Sequence, residues 1–321
     1  MPFENVMKRA TIGATVMISL RAILNDPKRG IRKAVDFFDC FTRGIFDEGL
    51  MQRIRREACN PKSSFFKMVT SMAANVDAAV LKTVGTNLCY NRVSLFPARE
   101  DRKRKPFPGG ARALFGLSLE EAVRYGKKHG VYFYVINGGS SPSGREKVLD
   151  VCRQNGDCVF YLCAEGKDVD DRLAGQAALA KNMIFAVNLR PPFLPEESSD
   201  GCRAFVTLKR HRCLYGFSVR VDSPAAATGC RGEFVDRMAR SGCLFGWYFC
   251  GFGKGRKEFL EAVRAVMSSA AGANPPPLLL LDPELDGRMM DRFVTGGRCC
   301  LLLGKKKIRA KFFLAGGKQR S

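Results

Sequence analysis

The chain has 321 residues, 46% of them hydrophobic, enough for one large α/β domain with an extra segment or for two ordinary domains, and this excludes a disordered chain. Its 53 Lys and Arg against 31 Asp and Glu give a formal charge of +22, which makes polyanions such as nucleic acid or acidic lipid natural partners by long-range attraction. Thirteen cysteines scattered without a regular framework argue against a disulfide scaffold and for a reducing, cytoplasmic compartment with mostly buried thiols.

The first third has the pattern of helices. Over residues 8–83 apolar side chains recur at helical spacing, as in Ile31, Ala34, Val35 and Phe38 and again in Phe66, Met68, Val69 and Met72, with Asp26-Pro27 and Asn60-Pro61 as punctuation. The apolar stretch 11–24 is interrupted by Arg21 and is shorter than the roughly 20 residues of a membrane span. It is therefore expected to be an uncleaved amphipathic helix with no transmembrane role, which leaves peripheral attachment to a membrane open. Residues 1–96 are expected to form an α-helical amino-terminal region. Residues 97–116 hold Pro106, Pro108, Gly109-Gly110 and the run Arg102, Lys103, Arg104 and Lys105, the composition of a basic linker.

From residue 117 onward, helices and strands alternate. Ser118 and Glu121 make a capping box that opens a helix to His129, with Gly130 as its cap, and an aromatic strand 131–136 ends at Asn137-Gly138-Gly139. A helix follows through Val148, Leu149 and Cys152, then strand 158–163, helix 169–180, strand 183–189 and a proline-rich loop. Strand 214–221, helix 233–240, strand 243–250, helix 257–267 and a buried strand 278–281 complete the series. Such units imply a parallel sheet covered by helices, open or curled into a barrel; periodicity leaves both open. In either case ligands bind beyond the carboxyl ends of the strands.

Few constellations for chemistry emerge. Only His129 and His211 could serve as imidazole bases; His129 sits at a helix end and His211 in the basic, exposed-looking stretch 209–212. There is no paired C-x-x-C, no P-loop and no complete dinucleotide fingerprint, although Gly251-Phe252-Gly253-Lys254-Gly255 begins like one. Cys152, Cys158 and Cys163 fall on a helix, a strand start and a strand end, so they are expected to point apart, and no protein-held metal is expected. Lys305, Lys306 and Lys307, with Arg102 to Lys105, are the candidate anion-binding residues, or else solvated faces. The strand aromatics Tyr132, Phe133, Tyr134, Phe245, Trp247, Tyr248 and Phe249 are expected to flank a core, with a nucleic-acid stacking face as the alternative.

Taken in order, the run LSLEEAVRYGKKHGVYFYVINGGSSPSGREKVLDVCRQNGDCVFYLCAEGKDVDDRLAGQAALAKNMIFAVNL from Leu117 to Leu189 resembles radical S-adenosylmethionine enzymes of the cofactor-maturase type. The resemblance continues through Tyr215-Gly216-Phe217-Ser218-Val219 and Gly242 to Phe249 and reaches back over the helical lead-in. It implies an incomplete (β/α) barrel, TIM-like and of the radical S-adenosylmethionine type, over residues 117–321 with a carboxyl-terminal extension. In that family a C-x3-C-x2-C loop after the first strand holds a 4Fe–4S cluster whose remaining iron binds S-adenosylmethionine; thiolates are the cluster's anchor. This chain has no such triplet, and neither a first strand nor a cluster loop is evident between Asn91 and Leu117.

Gly138 and Gly139 match the family glycines that face the methionyl amine, and with Ser140 and Asn188 they would form a vestigial S-adenosylmethionine site. Ser140 stands where the family has Glu, Glu165-Gly166 where it has Asn-Gly, and Arg190-Pro191 where it has Glu-Gly. The expected function is that of a barrel without its cluster, acting as a basic binding or scaffold protein on nucleic acid, an acidic surface or a larger assembly. The alternatives are an enzyme that retains S-adenosylmethionine or is completed by a partner's cysteines, and a decayed relative.

Overall fold

The computed structural model describes residues 3–42, 48–95, 118–128, 131–137, 142–189, 199–221, 229–230, 232–250, 275–281, 301–304 and 308–310, together with Glu261 and Ala265. Five helices come first: α1 (Phe3–Asn25), α2 (Pro27–Thr42), α3 (Glu48–Ala58), α4 (Ser64–Asn75) and α5 (Ala78–Leu95). Alternation follows through α6 (Leu119–Lys128), β1 (Phe133–Asn137), α7 (Pro142–Gln154), β2 (Val159–Glu165), α8 (Asp171–Ala180), β3 (Met183–Leu189), α9 (Asp200–Arg210) and β4 (Leu214–Val221). Then come α10 (Glu233–Arg240), β5 (Phe245–Cys250), β6 (Leu279–Leu281), β7 (Leu301–Gly304) and β8 (Ile308–Ala310).

Local chemistry accounts for several boundaries. The capping box is formed: the Glu121 amide donates to Ser118 Oγ at 3.2 Å and the Ser118 amide to Glu121 Oε2 at 2.7 Å. Asp170 opens α8 by accepting from the Leu173 amide at 2.7 Å, and Lys181 ends it in the left-handed region at φ 65°. The proline-rich segment after β3 was expected to run to β4 as loop, but α9 intervenes. Ser199 caps it, and Ala204, Phe205 and Leu208 form its buried stripe. The strands β7 and β8 were not foreseen either, and the helix expected at 257–267 lies outside the described residues apart from Glu261 and Ala265.

The fold is mixed α/β around one sheet, ordered β6-β5-β4-β3-β2-β1-β7-β8. From β6 to β7 every pairing is parallel, and β8 turns back antiparallel on β7. Chain order and sheet order coincide from β1 to β6. β7 lies beside β1, on the edge away from β2, so the sheet has a strand before β1 in space that comes late in sequence.

Each strand sends alternate side chains to opposite faces. On one face Tyr134, Ile136, Phe160, Leu162, Phe185, Val187, Tyr215, Phe217, Val219 and Tyr248 pack with α6, α7, α8, α9 and α10. On the other, Val135, Val159, Tyr161, Cys163, Ile184, Ala186, Leu214, Trp247 and Leu281 pack with Leu20 and Ile23 of α1, Ile31 and Val35 of α2, Phe66 and Ala73 of α4, and Val80, Leu81 and Val84 of α5. The described crossover helices thus cover one face and the amino-terminal bundle covers the other.

Close approach holds both layers. A Cβ on Gly30 would come within 2.4 Å of the α1 backbone at Ala22 and Ile23, so only glycine lets α2 fold back along α1 there. Gly216 and Gly246 lie on neighbouring strands, and each is covered by the other strand's ring: Phe245 over Gly216 on the bundle face, Phe217 over Gly246 on the crossover face.

Candidate functional site

A polar row runs across the bundle face of the sheet from the carboxyl ends of β2 and β3 to the middle of β4 and β5. The register sets Glu165 beside Asn188, Asn188 beside Ser218 and Ser218 beside Trp247, so four neighbouring strands contribute a carboxylate, an amide, a hydroxyl and an indole in line. Ser218 Oγ donates to Asn188 Oδ1 at 2.5 Å, and Asn188 Nδ2 donates toward Glu165 Oε1 at 3.4 Å. This polarises the row toward Glu165. Ser218 is buried while Glu165 and Asn188 are half-buried, so the row opens at the Glu165 end. Arg220 and Phe249 are paired one step further along β4 and β5, both exposed at the rim.

Beneath the row the site becomes apolar and closed. Cys163, Ala186 and Gly216 lie side by side in the register, and their small side chains leave room for rings. Tyr161 fills that room with Phe245 at 5.8 Å and Trp247 at 6.5 Å between centroids. Burial holds the Tyr161 hydroxyl well above its usual ionisation range and pushes the Cys163 thiol up to about 12, so both are protonated at neutral pH. The Tyr161 hydroxyl is buried and has no hydrogen-bond partner among the described residues.

Of the residues expected to bind S-adenosylmethionine, Asn188 is in this row. Gly138, Gly139 and Ser140 lie outside the described residues, as do Arg102 to Lys105, Lys305 to Lys307 and His129. Ser218 was not singled out from sequence, Glu165 was named only as a departure from the family pattern, and Trp247 only among the strand aromatics. Their signal is that a polar or aromatic side chain takes a bundle-facing position in an otherwise apolar strand.

The described thiols do not fit an iron–sulfur cluster. Cys152 and Cys158 belong to the crossover core and Cys163 to the bundle core, on the opposite side of the sheet. Burial raises all three thiols, whereas cluster ligation needs accessible thiolates that converge. Among the described residues no three His, Cys, Asp or Glu are grouped as metal ligands. His211, expected to be exposed, is instead half-buried beyond α9, with Nε2 2.9 Å from Asp171 Oδ1. Arg210 and His211 together hold the Asp171 carboxyl below its usual range. This cluster ties the start of α8 to the end of α9.

The strand aromatics are divided between the faces. Tyr134 and Tyr248 are buried under the crossover helices, and Phe133, Phe245 and Trp247 pack toward the bundle; Phe249 alone of the strand rings reaches substantial exposure. Among the described residues no helix is long and apolar enough to cross a membrane. Comparison of the chain with protein-family models, with curated proteins and with solved structures gave no match.

Proposed function

We propose that this chain is a basic, non-catalytic binding protein of a reducing compartment, built on an incomplete barrel that resembles the radical S-adenosylmethionine type and has lost its cluster. A strand order that follows chain order, with the described crossover helices on one face, is what such a barrel gives. The reading is carried by the bundle: the face opposite the crossover helices, where a barrel encloses its substrate, is packed with α1, α2, α4 and α5. The separation of Cys152 and Cys158 from Cys163 supports loss of the cluster.

The binding partner is a polyanion. Besides the formal +22, exposed Arg21, Lys28, Arg29, Arg32, Lys33 and Arg53 on α1 to α3 make no ion pair among the described residues. Counterion release then makes association steeply salt-dependent: engagement of about six phosphates weakens binding roughly a thousandfold between about 50 and 200 mM salt. A titration against heparin and against single-stranded DNA at both salts reads this directly. Binding that is absent, or indifferent to salt, would overturn the proposal.

The polar row favours a second reading, in which S-adenosylmethionine is still bound without radical chemistry. Asn188 and Glu165 would hold polar groups of the ligand at the open end of the row. Calorimetric titration with S-adenosylmethionine, repeated on Asn188→Ala, separates the readings: saturable heat lost in the variant supports retention, and no heat in the parent chain removes it.

A further inference from the structure

We propose that the α1–α2 hairpin docks the protein on an anionic lipid surface. The inference rests on the polyanion reading above and names the partner. Met7, Thr11, Ala14, Ile18, Arg21 and Asn25 succeed one another at steps of four and three residues, so they share one face of α1, and all six are exposed. Val6, Met7, Ile18 and Leu24 are 50, 53, 58 and 55% exposed, although the opposite side of the helix is already buried through Ile12, Leu20 and Ile23. No residue between Arg9 and Arg21 is charged. From Met7 to Ile18 the neutral stripe is about 16 Å long at the rise of an α-helix.

Cations gather where that stripe meets the hairpin tip. Lys8 is already paired with Glu4 at 2.5 Å. Arg21, Lys28, Arg29, Arg32 and Lys33 are exposed and make no ion pair among the described residues, and Asp26 is the sole acidic residue between Arg21 and Lys33. An occupant has to cover exposed Met7, Ile18 and Leu24 and also answer five neighbouring positive charges. A nucleic acid answers the charges and leaves the apolar side chains in water. A second copy of the chain covers the apolar side chains but sets its own cations against these. A bilayer with anionic headgroups does both, taking the apolar side chains at the acyl boundary and the cations at the phosphates.

The test is co-sedimentation of the full-length protein with vesicles of phosphatidylcholine alone and of phosphatidylcholine mixed with phosphatidylserine. The parent chain is expected to sediment with the anionic vesicles and not with the neutral ones. Ile18→Glu should lower the partition coefficient about tenfold through lost apolar burial. Arg32→Gln with Lys33→Gln should lower it about 25-fold, at about fivefold per charge. All three positions are exposed, so both variants should keep the parent's melting temperature. Equal binding to both vesicle types, or anionic binding unchanged in both variants, overturns the inference. Binding to heparin or DNA without vesicle binding overturns the lipid surface and leaves the polyanion reading standing; binding to none of the three removes both.

Discussion

On the crossover face of the sheet, Phe160, Phe185, Phe217 and Tyr248 lie under helices adjacent in sequence to the strands they cover, whereas on the bundle face Tyr161, Phe245 and Trp247 lie under helices from the far end of the chain. The first face closes through short connections, each helix entering with its strand. The second closes only when the amino-terminal bundle docks, and polar clamps fix where it docks. Asn87 of α5 is fully buried and donates to the carbonyls of Gly156 and Cys158, both at 2.9 Å, while accepting from Arg9. At the other end Arg212 donates to the carbonyls of Ala74, Asn75 and Val76 at the end of α4, and its own carbonyl accepts from the Asp77 amide at 2.8 Å. The contrast teaches that one face is built by local succession and the other by a few long-range contacts that can be loosened separately.

The largest expected effect comes from breaking the face built locally. Phe185 is almost fully buried in the crossover core, and Phe185→Ala should cost about 3–5 kcal/mol, the usual range for emptying such a site. Urea unfolding should show a large drop in midpoint, with sheet and bundle lost together. A small change would mean that the crossover core is not packed as described.

Asn87→Ala should cost less, about 1–3 kcal/mol, because it takes the Asn87 donor from the buried Cys158 carbonyl, and with it the bond to the Gly156 carbonyl. Its effect should be confined to the bundle face. Hydrogen exchange should quicken in α5 and α1 while β2 and β3 amides stay protected under the crossover helices. Uniform acceleration over both faces would show that the two faces are one cooperative unit.

The smallest effect lies at the edge of the crossover layer. Ser118→Ala should cost about 1 kcal/mol by removing the cap of α6. Hydrogen bonds from Ser118 hold the Glu121 carboxyl below its usual range, so its share of stability is present above the unfolded carboxyl pKa and fades as pH falls through the folded value. The difference between parent and variant should therefore narrow in acid. A gap in unfolding midpoint that stays constant with pH would mean that the Ser118 hydroxyl takes no part in holding the Glu121 carboxylate.

These two faces were not equally legible in the sequence. The apolar runs of β2 and β3 and the capping box at Ser118 are local signals, and the helix and strands they mark were foreseen within a few residues. α9 was missed because Lys209 and Arg210 dominate its end, whereas the buried stripe of Ala204, Phe205 and Leu208 is short. β7 is four residues of leucine and glycine whose partner lies at the opposite end of the α/β region, and no local pattern announces that pairing. The polar row depends on register across four strands: Asn188 could be picked out by resemblance, but its alignment with Glu165, Ser218 and Trp247 is a property of the assembled sheet.

Trp247 is the chain's single tryptophan and is 6% exposed within the bundle-face core, so its fluorescence reports directly on the closure of that face. Blue-shifted emission and slow acrylamide quenching are expected in the full-length protein, with both moving toward the solvent-exposed values in Asn87→Ala. Red-shifted, freely quenched emission from the parent chain would contradict this, because the face on which the bundle is seated would then be open to water.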